Sequence, residues 1–230
     1  MHTLSPLPKK PEAYSNVISE KVVSWHHDKH QAGYVNKLNE ICDKLKTAAK
    51  ADSNPNYSEW GELKRRESFN HAGVILHEIY WNIFGSDGTS NPEMEIVQKI
   101  TEDFGSMEAW REDFIATGKS ALGWVVLIWD SYSDKLKNVS VDYHNNGAFW
   151  NSIVLLACDV FEHAYYFDFG PDRAAYLDKF VLSIDWKEVN LNYIGEDCDC
   201  GECEDCKNRE CEDCKDDAKE TGTKSEGETK

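Results

Sequence analysis

The distribution of apolar residues predicts an α+β fold that opens with an N-terminal helical hairpin. Two long segments of helical period precede residue 85, strand-like runs follow residue 123, and no internal repeat of solenoid length is present. Between residues 16 and 50 the large residues Val22, Trp25, Tyr34, Leu38, Ile41 and Leu45 recur at helical spacing, and Asn54 and Pro55 end the pattern. A second helix is predicted over residues 59–84, closed by the dense turn signal Gly85, Ser86, Asp87 and Gly88. Shorter helices are predicted over 92–104, with proline early in the first turn, and over 106–117, where Ser106 stands as the cap of an acidic first turn. The period then changes. Residues 123–129 and 136–142 read as a strand hairpin across the polar turn 130–135, residues 153–157 add a third apolar run, and helical spacing returns after Asp159.

With 230 residues and 40% hydrophobic content the chain can bury a substantial core. Its first residues, MHTLSPLPKKPEAYSN, have neither the apolar centre nor the small-residue cleavage site of a secretory signal. No apolar run reaches the roughly 18–20 residues that cross a bilayer. A soluble, cytoplasmic protein is expected. The formal charge of -17 repels nucleic acid and anionic membranes, which excludes both as general partners. That charge is uneven: residues 195–230 carry 14 Asp/Glu against 6 Lys/Arg, together with six of the eight cysteines. A segment so poor in apolar residues cannot form a core. The chain therefore divides into residues 1–88, the helical hairpin; 89–194, the mixed half; and 195–230, an acidic Cys-rich tail expected to be disordered unless metal-bound. Cys42 and Cys158 are isolated in apolar-periodic sequence, where cysteine behaves as a small buried hydrophobe, so no disulfide framework is expected.

The chemistry concentrates in the histidines, five of which fall in three motif-like stretches. In Trp25-His-His-Asp-Lys-His30, His26 and His30 are four apart and share a helical face with Tyr34. His77 lies one helix later in His77-Glu-Ile-Tyr-Trp81, and Asp159 and His163 are again four apart. One His from each of two helices, with an Asp and a His from a third place, makes a three-nitrogen, one-carboxylate donor set. Such a set suits a redox-active first-row metal at least as well as zinc. Pairs at these spacings also arise in ordinary cores, so the residue context carries the argument.

That context resembles the iron/manganese superoxide dismutase family over residues 1–194. The matching stretches are HHDKHQAGYVNKLN at 26–39, Phe69-Asn70 followed by His77-Glu-Ile-Tyr-Trp81, Gly123-Trp124, and Asp159-Val-Phe-Glu-His-Ala-Tyr-Tyr166, after which Arg173, Tyr176 and Trp186 keep the family's spacing. The resemblance implies a helical hairpin followed by a C-terminal α/β domain with a small antiparallel sheet. It implies His26, His77, Asp159 and His163 as metal ligands, and Tyr34 and His30 at the substrate entrance. Tyr166 resembles the residue that reaches His30 across a dimer interface, and Glu162 the one that holds the partner's ligand histidine. The implied activity is dismutation of superoxide to dioxygen and hydrogen peroxide, by a homodimer or homotetramer with one iron or manganese ion per subunit, iron being slightly favoured. The alternative is a non-catalytic metal storage or delivery protein on the same fold. His27, next to a ligand but about 100° around the helix, is expected to pack outside the site; His2 and His71 have no counterpart role.

Departures from the family pattern bear on the metal. Neither position that commonly supplies a Gln to the metal-bound solvent does so here: Gly73 stands four before His77, and the later region reads Asp142-Tyr-His-Asn-Asn146. His144 resembles the His that some archaeal members use instead and is the candidate donor, against the reading of an exposed loop His. Gln31, Leu76 and Phe161 replace residues common in the family. Since the net charge has the wrong sign to attract an anion, Lys29 and Arg173 are expected to supply local attraction near the mouth. In the tail, Cys198, Cys200, Cys203, Cys206, Cys211 and Cys214 form overlapping Cys-x-x-Cys units, a spacing with which two thiolates chelate one soft ion. Zinc or a similar divalent ion is the expected ligand; incidental cysteines on a solvated tail, or a redox-active thiol cluster, are the other readings.

Overall fold

The computed structural model, which describes residues 1–147 and 149–195, begins with a 3₁₀ turn (Pro11–Tyr14) that leads into α1 (Glu20–Trp25). A π-helical turn (His26–Gln31) follows without a break and continues as α2 (Ala32–Thr47). The extra residue per turn is invisible to a periodicity reading, and turns of this kind occur mostly at functional sites. Helix α3 (Glu59–Ile83) is capped by the Ser58 hydroxyl, which accepts from the Gly61 amide at 3.1 Å, and packs on α2 through Val35, Leu38 and Val74. It stops at the predicted turn. Gly88 there has φ +71°, and a Cβ would fall 2.2 Å from the Leu182 carbonyl oxygen, so the close approach of the two segments admits only glycine.

Helix α4 (Glu95–Phe104) begins three residues later than residue 92. The Asn91 side chain accepts from the Glu93 amide and its carbonyl from the Met94 amide, which holds Pro92 in a turn rather than in the helix. Helix α5 (Met107–Ser120) is capped by Ser106 as expected and runs beyond residue 117. Arg173 donates to the carbonyls of Gly118 and Ala121 at its end, groups that a helix terminus leaves unpaired.

The strands β1 (Trp124–Asp130), β2 (Lys135–Val141) and β3 (Ser152–Asp159) form an antiparallel sheet of order β2-β1-β3. The third apolar run extends to Asp159 because it pairs with β1, whose Trp124 lies opposite Val141 on one side and Asp159 on the other. Helices α6 (Glu162–Phe169), α7 (Arg173–Val181) and α8 (Trp186–Ile194) complete the fold. The main core gathers α3, the sheet and these helices around the fully buried Tyr80, Trp110, Trp124, Tyr176 and Phe180. Among the described residues no helix is long and apolar enough to cross a membrane.

Candidate metal centre

The four residues expected as ligands come from four elements and meet at one point. His26 opens the π-helical turn, His77 lies in α3, Asp159 ends β3 and His163 is in the first turn of α6. One donor atom from each lies within 4.8 Å of every other. The Asp159 Oδ2 atom is central, at 3.1 Å from His26 Nε2, 3.5 Å from His163 Nε2 and 3.7 Å from His77 Nε2. Local chemistry aims these groups. Asp159 Oδ1 accepts from the Phe161 amide at 2.8 Å, a turn that introduces α6 and leaves Oδ2 for the centre. His77 Nδ1 donates to the Gly73 carbonyl at 2.6 Å, which sets the tautomer and leaves a lone pair on Nε2.

The chemistry of this donor set fits a cation. Among the described residues, the buried side-chain nitrogen and oxygen atoms without a hydrogen-bond partner are His26 Nδ1, His77 Nε2, His163 Nε2 and His144 Nε2, all in one cluster. Each such orphan costs ~1–3 kcal/mol, so four together mark a place where a ligand belongs. Burial lowers the pKa of His26 and His77, which keeps both rings neutral. Burial opposes ionisation of Asp159, but the charge and hydrogen bonds of His163 and His26 outweigh it and hold the carboxyl well below the usual range. Burial likewise disfavours a proton on His163, and Asp159 raises its pKa nonetheless. Neutral imidazoles and an ionised carboxylate are the states that bind metal, and binding displaces a proton such as that on His163.

Around the four, His144 is 3% exposed rather than an exposed loop residue. Its Nδ1 accepts from the Trp124 indole N–H at 3.0 Å, so the ring proton sits on Nε2. Burial lowers its pKa to about 4, so it stays a neutral donor. Tyr34 lies 4.5 Å from it between ring centroids, and burial together with the Asp159 charge pushes the Tyr34 phenol up to about 12. Gly73 makes room for both: a Cβ would lie 3.1 Å from Tyr34 Cγ and 3.3 Å from His144 Cδ2. His30 is exposed and stacks on His163, with centroids 4.0 Å apart and planes 15° apart. Glu162 and Tyr166 are exposed on α6, and next to them Phe167 meets Trp25 edge to face at 5.4 Å beneath the Lys21 ammonium.

Other expectations are resolved residue by residue. His27 packs outside the centre, between the Asp28 carboxylate and the Ser5 carbonyl. Gln31 is buried and accepts from the Trp81 indole N–H at 2.9 Å. Phe161 stacks on His163 at 5.6 Å and presses so close to Gly123 that a Cβ there would meet its ring at 2.8 Å. Arg173 is not available to attract an anion: its guanidinium is taken up by the Ala121 carbonyl at 2.7 Å and the Tyr165 hydroxyl at 3.1 Å, and it ties α7 to the end of α5. Lys29 is exposed. Trp124, the partner of His144, carries no titratable group, and the sequence marks it only through the Gly123-Trp124 stretch of the resemblance at the start of a strand, without pointing to His144. The six cysteines from Cys198 to Cys214 lie outside the described residues.

Residues 1–85 match the family model described as iron/manganese superoxide dismutases, alpha-hairpin domain, and residues 92–192 the one described as iron/manganese superoxide dismutases, C-terminal domain. The chain is 41% identical over 192 residues to superoxide dismutase [Mn] 2 of Haloferax volcanii, covering 84% of this chain and 95% of that protein. It is likewise 41% identical over 187 residues to superoxide dismutase [Mn] 1 of Halobacterium salinarum, covering 81% and 92%. With superoxide dismutase [Fe] of Aquifex pyrophilus it shares 37% identity over 197 residues, covering 84% and 92%.

Proposed function

The chain belongs to the iron/manganese superoxide dismutase family and is a superoxide dismutase, and we propose that it works at one ion per subunit held by His26, His77, Asp159 and His163. The observation that carries this assignment is the approach of their donor atoms to within 4.8 Å among the orphaned imidazole nitrogens. When bound, iron or manganese supplies one-electron chemistry: an electron taken from one superoxide releases dioxygen, and its return to a second superoxide with two protons gives hydrogen peroxide.

The chain's own part is to hold, to shield and to supply protons. The Gly73 carbonyl holds His77 as an Nε2 donor, and the Phe161 amide holds Asp159. Trp81 at 5.1 Å from His26 and Trp124 at 5.0 Å from His77 wall the pocket with aromatic surface, and in that low-dielectric setting each charge interaction counts for more than in water. His144 Nε2–H is the donor for solvent in the pocket. Tyr34, a phenol throughout the neutral range, stands beside it as the next proton source. His30 shields the outer face of His163. In the homodimer, Glu162 holds His163 of the partner subunit and Tyr166 reaches His30 of the partner subunit. Lys29 gives superoxide local attraction.

The dismutase comprises residues 1–88 and 89–194 and acts in the cytoplasm, where thiols stay reduced. The tail after 194 binds about one or two zinc-like ions, from four thiolates per tetrahedral site. His77→Ala removes one of three nitrogen ligands and is expected to abolish metal content and turnover together; stoichiometric metal with normal turnover would overturn the ligand assignment.

A further inference from the structure

Behind the wall of the metal pocket, three side chains open to one-electron oxidation form a connected row. The Tyr80 ring lies 5.3 Å from the His26 ring, and its hydroxyl meets the Tyr176 hydroxyl at 3.2 Å. The Cys158 thiol, one residue before Asp159, donates to the same Tyr176 oxygen at 3.7 Å. Helices α3 and α7 and strand β3 each supply one member, and all three are fully buried. Tyr80 also borders both tryptophans of the wall, with ring centroids 4.8 Å from Trp81 and 6.3 Å from Trp124.

Core packing alone does not call for these residue types. Phenylalanine at 80 and 176 with a small apolar residue at 158 would fill comparable space and leave no hydroxyl or thiol to satisfy, whereas a buried polar group costs free energy unless it is paired. The row pairs within itself, apart from a long thiol contact to the Asp159 carbonyl at 3.9 Å. Dismutation as derived above uses none of the three. Their order is directional: the thiol donates into the phenol pair, and the far phenol faces the pocket.

We propose that Tyr80, Tyr176 and Cys158 form a relay that draws oxidising equivalents out of the metal pocket and so protects its tryptophans and ligand histidines. The relay rests on the ion site proposed above, taken with iron. Its oxidant is the product of dismutation: hydrogen peroxide accepts one electron from reduced iron and splits into hydroxide and a hydroxyl radical. That radical oxidises the aromatic wall, and the net first step moves the Tyr80 hydroxyl hydrogen to it, giving water and a Tyr80 phenoxyl radical. Tyr176 O–H passes its hydrogen atom, proton and electron together, across the hydrogen bond to Tyr80, and Cys158 S–H refills Tyr176. Both phenols are restored, and the unpaired electron rests on the Cys158 sulfur. Superoxide closes the cycle, since the thiyl with superoxide and one proton gives thiol and dioxygen, the electron returning along the same row. Without superoxide, a second hydroxyl radical combines with the thiyl to give the sulfenic acid, the first rung of cysteine oxidation. Because Cys158 is fully buried, dissolved peroxide does not reach it directly, and oxygen found there reports transfer through Tyr176.

Treatment of the iron-loaded full-length protein with hydrogen peroxide, with superoxide absent and oxygen uptake mapped by peptide mass spectrometry, tests this. In wild type Cys158 is expected to gain oxygen before Trp81 and Trp124 do, and in metal-free protein to stay intact. Tyr80→Phe and Tyr176→Phe keep the rings and cut the row, so each is expected to spare Cys158 and move the oxygen to Trp81 and Trp124. Tryptophan oxidation that precedes Cys158 in wild type, or Cys158 oxidised equally in wild type, Tyr176→Phe and metal-free protein, would overturn the relay. Iron content of the same samples and of His77→Ala reports on the ligands separately. Stoichiometric iron in His77→Ala would overturn the ligand assignment, whereas an intact Cys158 in wild type that holds stoichiometric iron would overturn the relay alone.

Discussion

Trp124→Phe should uncouple the proton donor from the wall of the metal site. The Trp124 indole N–H is the hydrogen-bond partner of His144 Nδ1 at 3.0 Å, and the Trp124 ring is fully buried. Phenylalanine keeps most of the ring and deletes the donor, leaving a buried acceptor unpaired at ~1–3 kcal/mol. The vacated space adds to this, so the total is ~3 kcal/mol. For a unit of this size, residues 1–195, each kcal/mol moves Tm by about 2–4 °C, and a fall of about 6–12 °C is expected. The melt is best followed on demetallated protein at fixed concentration, since bound metal adds its own stabilisation. A cycle with His144→Ala and the double variant isolates the pair and should give a coupling of at least ~1 kcal/mol. Turnover of the metal-loaded Trp124→Phe protein should fall with metal content retained, because the imidazole proton is no longer confined to Nε2. Additive stabilities within ~0.5 kcal/mol, or unchanged turnover, would refute the argument that Trp124 sets the His144 donor.

Three further outcomes are expected. Glu162→Ala should weaken the dimer and lower metal retention, since it frees a ligand histidine across the two-fold; an unchanged dissociation constant in sedimentation with unchanged metal content would refute it. Reconstitution with iron should give activity, because the His144 imidazole is a differently placed donor from the usual carboxamide; activity with manganese alone would contradict that. Cutting the chain after Ile194 should leave dismutation and the dimer intact and remove about one or two ions from the native mass spectrum, four thiolates making one tetrahedral site; equal metal counts, or lost activity, would show that the tail is no independent metal-binding appendage.

The candidate ligands were legible in the sequence chiefly through the family resemblance of the stretches that carry them, since spacing alone also arises in ordinary cores. Asp159 and His163 are four apart and flank the start of α6, so a short strand-to-helix turn delivers both to one place. His26 and His77 sit on long segments whose apolar period places them on the buried side. The strand hairpin and its turn were equally readable, since a polar stretch between two apolar runs has few other solutions. Boundaries were less so. Asn91 delays α4 and Arg173 accompanies the extension of α5, and both act through side-chain bonds to backbone groups that no period reports.

What escaped the sequence depends on contacts between distant elements. The resemblance marks His144 as the candidate donor, against an exposed-loop reading of its polar stretch; what the sequence does not show is why it is buried, with Trp124, twenty residues earlier in β1, and Tyr34 in α2 both packed on its ring. The two sheet registers bring Trp124 opposite Asp159, so the strand that positions a ligand also carries the residue that orients the donor. Gly73 completes this arrangement by what it lacks: one helical turn before His77, it gives its carbonyl to the ligand ring and its empty Cβ position to Tyr34 and His144. A side chain there would push on both rings at once, and ligand orientation and proton supply would shift together. The resembling motifs point to the candidate donors, but the placement of His144 and Tyr34 beside them depends on a glycine and a tryptophan that carry no titratable group of their own.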